Sequence, residues 1–236
     1  MIRKANDQDK TALREIWSAA FKDPPVYADF VTQYCLKLGS VLYDDQGRSF
    51  VTLFPLTLIK EGKILLNGFY LYGLATHPSQ QGKGFASRLL SRAVENTSFC
   101  LLYPATSELQ RFYHKRGFTT PVRIPEPVIQ NKTAPCVMDI KPEFLYKQYL
   151  KDARKQKFAF LWPEPMFHFA LEECLFRKGF VIPPWFCYPE EEQVLCKPYV
   201  QIKKLLVESY IQGWGFFKEK VPGLETGVSV FYLPLD

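Results

Sequence analysis

The stretch from Leu71 to Tyr103 constrains the fold more than any other part of this sequence. An apolar run ends at Thr76, a turn containing Gly82-Lys83-Gly84 follows, and a helical pattern then leads into a second apolar run. The apolar face of that helical pattern consists of Ala86, Leu89, Leu90, Ala93 and Val94. A strand, a glycine-rich turn, a helix and a strand predict a crossover unit, and therefore an α/β class of fold.

Further patterns surround this unit in the first half of the chain. Alternating or continuous apolar runs predict strands over residues 2–5, 40–43, 50–59, 64–76 and 99–103. Helical spacing predicts three more helices. The first is capped by Asn6 or Asp7. The other two cover residues 26–38 and 107–116 and end at Gly39 and Gly117. Because short turn sequences join the runs between residues 40 and 76, we expect an antiparallel meander there.

The second half begins with a group of prolines and is harder to interpret. Pro121, Pro125, Pro127 and Pro135 favour an extended linker or edge segments, so we predict domains at residues 1–125 and 126–236. An amphipathic helix is predicted over residues 164–178, with Gly179 closing it and one face made by Phe167, Ala170, Leu171, Cys174 and Leu175. A helix over residues 203–210 and a strand over 227–233 complete the prediction.

Composition limits the classes of protein that remain. The chain has 236 residues, 30 basic and 24 acidic side chains and a net charge of +6, with 20 Phe and 13 Tyr, which excludes a disordered chain. No stretch approaches the ~18 consecutive apolar residues of a membrane-spanning helix. The six cysteines include no C-x-x-C pair and are predicted to be mostly free thiols. We therefore expect a cytoplasmic protein that binds an anionic small ligand, with no metal and no membrane or nucleic-acid partner.

The turn after the strand is suited to phosphate. Gly82, Gly84 and Ala86 leave backbone N–H groups open to a close approach at a helix N-terminus, while Gln81 and Lys83 add donors and positive charge. A nucleotide P-loop is excluded because Gly84, and not Ser or Thr, follows the lysine. A dinucleotide fingerprint is excluded because its third glycine position is occupied by Ser87.

The pattern Gln81-x-x-Gly84-x-Ala86 resembles the acetyl-coenzyme A loop of the GNAT superfamily of N-acetyltransferases. The resemblance also includes Ala75-Thr76-His77-Pro78 before the loop and Phe112-Tyr113-His114-Lys115-Arg116-Gly117-Phe118 after it. Together with the N-terminal strand and helix and the meander, these segments occur in the order that the family uses. They cover roughly residues 1–120.

This resemblance implies a fold, a co-substrate and roles for individual residues. It implies a mixed, splayed sheet, with a smaller α/β accessory domain or degenerate GNAT-like half after it. Acetyl-CoA would be the co-substrate, and a primary amine of a small molecule or a protein would be the acceptor. The pantetheine arm would pair with the backbone of Leu74, Ala75 and Thr76. The pyrophosphate would be held by Gln81, Gly82, Lys83, Gly84, Phe85, Ala86 and Ser87. Tyr113 would be the general acid that protonates the leaving thiolate.

One feature departs from the family pattern. Many members use a glutamate on the strand before the loop as a base, but residues 65–72 of this chain contain no carboxylate. His77, Tyr72, Tyr70, a carboxylate of the second half and the C-terminal carboxylate of Asp236 remain as alternatives. The missing carboxylate also motivates a second hypothesis, a non-catalytic acyl-CoA-binding regulatory protein.

Overall fold

A computed structural model of the protein describes residues 1–131, 141–201, 210–224 and 229–232. The α-helices in this part of the chain are α1 (Lys10–Phe21), α2 (Pro25–Leu38), α3 (Phe85–Val94), α4 (Ser107–His114), α5 (Pro142–Ala153) and α6 (Glu164–Phe176). The strands are β1 (Ile2–Lys4), β2 (Ser40–Asp44), β3 (Ser49–Lys60), β4 (Lys63–Thr76), β5 (Phe99–Leu102), β6 (Thr120–Pro125), β7 (Val128–Asn131), β8 (Phe158–Leu161), β9 (Phe180–Ile182), β10 (Trp185–Pro189), β11 (Gln193–Pro198), β12 (Tyr210–Phe217) and β13 (Ser229–Phe231). None of the described helices is long and apolar enough to cross a membrane.

The chain divides into two compact units, and each unit is discontinuous in sequence. The first unit consists of Met1–Pro55, Asn67–Thr119 and Gly215–Lys220. The second unit consists of Leu56–Leu66, Thr120–Trp214 and Val221–Asp236. Strands β3, β4 and β12 therefore each contribute residues to both units. The domain division at residues 125 and 126 stays a prediction.

The first unit contains the antiparallel meander and the start of the crossover. Strand β2 pairs antiparallel with β1 and with β3, and β4 follows β3 in the strand order. Strand β4 pairs parallel with β5 only at Phe69–Cys100 and Tyr70–Leu101, although β4 continues to Thr76. The two neighbouring strands therefore separate beyond Tyr70, which confirms the predicted mixed and splayed sheet.

Gly73 marks the irregular part of β4. Its φ is +60°, a conformation that side chains other than glycine rarely adopt. The ring of Trp17 occupies the space beside it, since a Cβ on Gly73 would lie 2.5 Å from Trp17 Cζ3. Trp17 also packs against Tyr72, with 5.5 Å between ring centroids. Both the backbone and the close aromatic contact therefore require glycine at this position.

The helices predicted in the first unit are confirmed, with changes at their ends: α1 begins at Lys10 and α4 ends at His114. Asn6 forms a capping box with Asp9 on a short 3-10 turn that leads into α1. Helix α2 ends at Gly39 as predicted, but Gly39 is extended (φ −106°) and does not adopt the left-handed conformation of a usual C-terminal glycine. Glycine is needed there for space, because a Cβ would lie 2.6 Å from Thr52 Cγ2.

The second unit contains two groups of strands. In one, β6 lies between β12 and β13, and β13 pairs parallel with both β6 and β8. The residues 57–60 at the end of β3 pair antiparallel with β8. The other is a small antiparallel sheet in the order β7-β11-β10-β9. Helix α6 packs against this unit through Phe167, whose ring centroid lies 5.7 Å from that of Phe186 on β10.

Three predictions for the second half change. Pro121 and Pro125 lie in β6, which has neighbours on both sides, so the segment starts as an internal strand and not as a linker or edge. Leu175 is 54% exposed and is not part of the buried face of α6, which instead includes Met166 and Phe169. The helix predicted over residues 203–210 lies outside the described residues except at its last position, which starts β12.

Candidate functional site

The loop between β4 and α3 is shaped by two glycines with positive φ. Gly82 has a φ of +76° and Gly84 a φ of +81°, and a Cβ added at either would meet nothing within 4 Å. Both residues therefore border open space and are exposed. Gly84 is the N-cap residue of α3 and has no side chain to accept from the first backbone N–H groups of the helix. The arrangement leaves open space beside the positive end of the helix dipole.

Two predicted donors of the loop contact oxygen atoms of the loop or of the end of β4. The side-chain amide of Gln81 donates to the carbonyl of Thr76 at 3.2 Å. The Lys83 ammonium donates to Gln80 Oε1 at 2.9 Å and to the Ser79 carbonyl at 3.3 Å. An ammonium and an amide each carry more than one N–H, so both groups keep donor capacity while they fix the loop conformation.

The end of β4 before the loop is anchored on its β3 side. Ser49 Oγ donates to the carbonyl of Ala75 at 2.8 Å and lies 2.7 Å from Thr76 Oγ1. Ala75 is buried, while Leu74 and Thr76 are half-buried. Because parallel pairing with β5 stops at Tyr70, the opposite edge of this segment is not part of the β4–β5 ladder. The three predicted residues thus lie on a strand that is held from one side.

Tyr113 is the second-to-last residue of α4. The side chain of Thr106 caps this helix by accepting from Leu109 N at 3.2 Å. The Tyr113 ring packs edge-on against Phe112 and Phe118, with centroid distances of 5.3 Å and 5.8 Å. Burial raises the pKa of Tyr113 to about 12, and the positive charge of Arg116 opposes this in part.

Arg116 joins α4, which carries Tyr113, to α3, which follows the loop. Its role was not predicted from the sequence. Its guanidinium donates to Ser87 Oγ at 2.6 Å and to the Phe112 carbonyl at 2.6 Å. The same group lies 3.7 Å from the centroid of the Phe112 ring. The contact brings Ser87, in the first turn of α3, together with the end of α4. In sequence, Arg116 suggests only a basic residue at a helix C-terminus.

A second basic residue, Arg88, fixes the exposed side of α3. Its guanidinium lies 4.5 Å from the centroid of the Phe85 ring and donates to Asp44 Oδ2 at 3.1 Å. The Asp44 side chain is only 3% exposed, so this carboxylate on β2 is a nearly buried partner. The Phe85 ring covers Gly47, where a Cβ would clash with it. Neither Asp44 nor Arg88 was distinguished in the sequence from ordinary surface charges.

The candidate bases differ in their surroundings. His77 Nδ1 accepts from Ser79 N at 3.3 Å and lies 2.8 Å from Ser79 Oγ, so the imidazole caps the short turn at Pro78–Gln80. Tyr70 and Tyr72 are both buried. Asp236 lies outside the described residues. Within the described ranges, no group of three or more His, Cys, Asp or Glu side chains could hold a metal ion.

Comparison with known proteins gives one family and several similar structures. The model of a family described as acetyltransferase (GNAT) domain matches residues 1–120. The chain is similar to the structure of a GCN5-related N-acetyltransferase from Anabaena variabilis ATCC 29413, with 18% identity and a TM-score of 0.55 over 80% of this chain and 50% of that one. It is similar to Eis1 from Mycobacterium abscessus, with 18% identity and a TM-score of 0.54 over 79% and 52% of the respective chains.

A third similar structure is a GCN5-related N-acetyltransferase from Kribbella flavida, with 10% identity and a TM-score of 0.51 over 84% of this chain and 58% of that one. The chain thus spans about half the length of these proteins. Because the matched part extends beyond residue 120, it includes part of the second unit and confirms the predicted fold class. At such low identity the similarity concerns the fold alone. A comparison with curated protein sequences found no match.

Proposed function

The chain belongs to the GNAT acetyltransferase family, and on that premise we propose that it transfers an acetyl group from acetyl-CoA to a primary amine of a small-molecule or protein acceptor. The observation that carries the proposal is the loop before α3. Gly82 and Gly84 border open space at positive φ, beside a helix N-terminus whose N-cap residue has no side chain. Backbone N–H groups and the helix dipole at such a place favour a pyrophosphate.

In this proposal the end of β4 and the loop after it bind different parts of acetyl-CoA. The pyrophosphate contacts the backbone and side chains of residues 81–87, including the hydroxyl of Ser87. The pantetheine arm pairs with the backbone of Leu74, Ala75 and Thr76. The separation of β4 from β5 beyond Tyr70 supports this assignment, because it leaves one edge of β4 outside the β4–β5 ladder.

Tyr113 is proposed as the general acid. The acceptor amine attacks the thioester carbonyl directly, the tetrahedral intermediate collapses, and the phenol protonates the coenzyme A thiolate as it leaves. A phenol whose pKa is about 12 stays protonated at neutral pH, so the Tyr113 proton is present when the thiolate leaves. Phe112 and Phe118 support this role because their rings fix the orientation of the Tyr113 ring.

The test is release of free coenzyme A from acetyl-CoA with a panel of amines, for the wild type and for Tyr113→Phe. Turnover with at least one amine is expected, together with a large loss of kcat in the variant. A matched control is Tyr146→Phe, which removes a hydroxyl that donates to the Trp162 carbonyl in the second unit. Turnover in the variant equal to that of the wild type would exclude Tyr113 as the acid.

A second candidate function is non-catalytic binding of acyl-CoA for regulation. The observation that favours it is the absence of a carboxylate between Leu65 and Tyr72, where many members of the family have a glutamate. Calorimetric titration with acetyl-CoA, run beside the turnover assay, distinguishes the two. Tight binding without transfer to any amine of the panel would favour regulation over catalysis.

A further inference from the structure

Two cysteines of the second unit face each other across the small antiparallel sheet. Cys187 on β10 is directly opposite Cys196 on β11, and their Sγ atoms are 3.5 Å apart. Both residues are buried, and both thiols are free. The sequence gives no hint of this pair, because eight residues separate the two cysteines and only the register of the sheet brings them together.

The backbone places this pair where cross-strand side chains lie closest. The N–H of Glu190 donates to Gln193 O, and the N–H of Tyr199 donates to Pro184 O. Since hydrogen-bonded and non-hydrogen-bonded pairs alternate along an antiparallel ladder, Cys187–Cys196 is a non-hydrogen-bonded pair. Opposed residues in such pairs have Cα atoms about 4.5 Å apart, within the range that a disulfide spans.

The prolines of the two strands agree with this register. Pro198 lies opposite Trp185 and Pro189 opposite Val194, two positions along the ladder on either side of the cysteines. Proline has no N–H group. At a non-hydrogen-bonded position no N–H donates to the opposite strand, so proline removes no hydrogen bond between β10 and β11. The two prolines are therefore compatible with the register that keeps the two thiols opposed.

A third thiol lies nearby but points elsewhere. Cys174 on α6 donates to the carbonyl of Cys187 at 3.5 Å, and to that of Phe180 at 3.9 Å, so it contacts backbone oxygen atoms. The thiol of Cys187 lowers the pKa of Cys196, because it can donate a hydrogen bond to the Cys196 thiolate. The same contact, together with burial, raises the pKa of Cys187. This contact therefore favours the thiolate form at Cys196.

We propose that Cys187 and Cys196 are an oxidative modification site that forms a reversible cross-strand disulfide by exchange with a low-molecular-weight disulfide. The Cys196 thiolate attacks one sulfur of the oxidant, and one thiolate leaves. Cys187 then loses its proton and attacks the Cys196 sulfur of the mixed disulfide, and the second thiolate leaves. Two protein thiols are oxidised, one disulfide of the oxidant is reduced to two thiols, and the leaving thiolates take up the protons.

The 236-residue chain is equilibrated in buffers of increasing glutathione disulfide to glutathione ratio, and remaining thiols are then alkylated and counted. The proposal expects two of the six thiols to disappear together, in a step that dithiothreitol reverses. Peptide mapping should find residues 187 and 196 in one disulfide-linked pair. Because both thiols are buried, the reaction is followed until it stops changing.

Three variants sharpen the test. Cys174→Ser removes the neighbouring thiol and should still lose two thiols, whereas Cys187→Ser should stop at a glutathione adduct on Cys196. Cys196→Ser should form no bridge at residue 187. Mapping of the wild type decides the question even where a variant fails to fold. A wild type that keeps both thiols at every ratio, or a bridge that contains Cys174, would overturn the proposal.

Discussion

The guanidinium of Arg116 donates a hydrogen bond of 2.6 Å to Ser87 Oγ and so connects the end of α4 with the first turn of α3. The serine hydroxyl accepts from Arg116, so its own proton is free to point toward another acceptor. In the proposed complex that acceptor is a phosphate oxygen. We therefore propose Arg116 as a positioning residue, which in that complex orients Ser87 toward the phosphate and also donates to the Phe112 carbonyl, beside Tyr113.

This relationship predicts coupling between the two side chains. Replacing Arg116 with Met should weaken acetyl-CoA binding by about tenfold, the loss expected when one charge-assisted hydrogen bond is removed. In a Ser87→Ala background the same replacement should cost clearly less, since its partner is already gone. A double-mutant cycle of dissociation constants, measured by calorimetry, gives the coupling, and Arg116→Lys should recover part of the affinity. Additive losses would show that Arg116 does not act through Ser87.

The pKa of Tyr113 predicts the shape of the alkaline pH profile. Its burial raises the pKa to about 12, so the phenol stays almost fully protonated, and can act as an acid, at every pH more than about one unit below that value. The wild type should therefore show no loss of kcat from ionisation of this group up to about pH 10.5. Tyr113→Phe should lower kcat by roughly 100-fold or more, the usual contribution of general acid catalysis.

The measurement is kcat as a function of pH for both proteins. A descending limb with a midpoint near 10 that is absent from Tyr113→Phe would mean that Tyr113 titrates like an exposed phenol. That outcome would contradict the buried environment of the ring.

Alanine variants of two glycines with positive φ, Gly73 and Gly82, should differ in their effects on folding stability and on acetyl-CoA binding. At Gly82, Ala adds only the cost of a left-handed backbone, about 1–2 kcal/mol, because its Cβ meets open space. At Gly73, Ala adds the same cost and also a clash with Trp17, for a total of roughly 2–5 kcal/mol. Urea unfolding should therefore rank Gly73→Ala as the less stable variant.

Acetyl-CoA affinity should single out the loop variant. The methyl group of Gly82→Ala occupies space that the proposal gives to the pyrophosphate, so its affinity should fall by more than the small loss of stability explains. Unchanged affinity in Gly82→Ala would remove this residue from the proposed binding surface.

Local patterns predicted much of the first unit. The helices and strands up to residue 117 are confirmed with small changes in their bounds, because helical and alternating periodicity, Pro25 and the turn glycines are properties of nearby residues. The positions of Gly82 and Gly84 in one loop follow from the same local signals.

Contacts between distant residues were not predictable in this way. Arg116 and Ser87 are 29 positions apart, and Asp44 and Arg88 are 44 apart, so only the folded chain brings each pair together. At Pro121 and Pro125 the local signal was present but gave the wrong prediction. Proline locally disfavours a central strand, yet the long-range pairing of β6 with β13 decides its structure.

The last prediction concerns how the acceptor amine loses its proton. Residues 65–72 contain no carboxylate, and the Nδ1 lone pair of His77 accepts from Ser79 N. A neutral imidazole in that state carries its proton on Nε2 and has no free lone pair to act as a base. We therefore expect the proton to leave to water before attack, so that kcat/KM rises with pH through the pKa of the free amine itself. Two acceptors whose pKa values differ by about one unit or more give the measurement.

The midpoint of the rising limb should move with the amine, and His77→Gln should leave it unchanged. A midpoint that is the same for both amines would instead report a group of the protein. If His77→Gln also abolished that midpoint, His77 would be the base, and its contact with Ser79 would have to open during turnover.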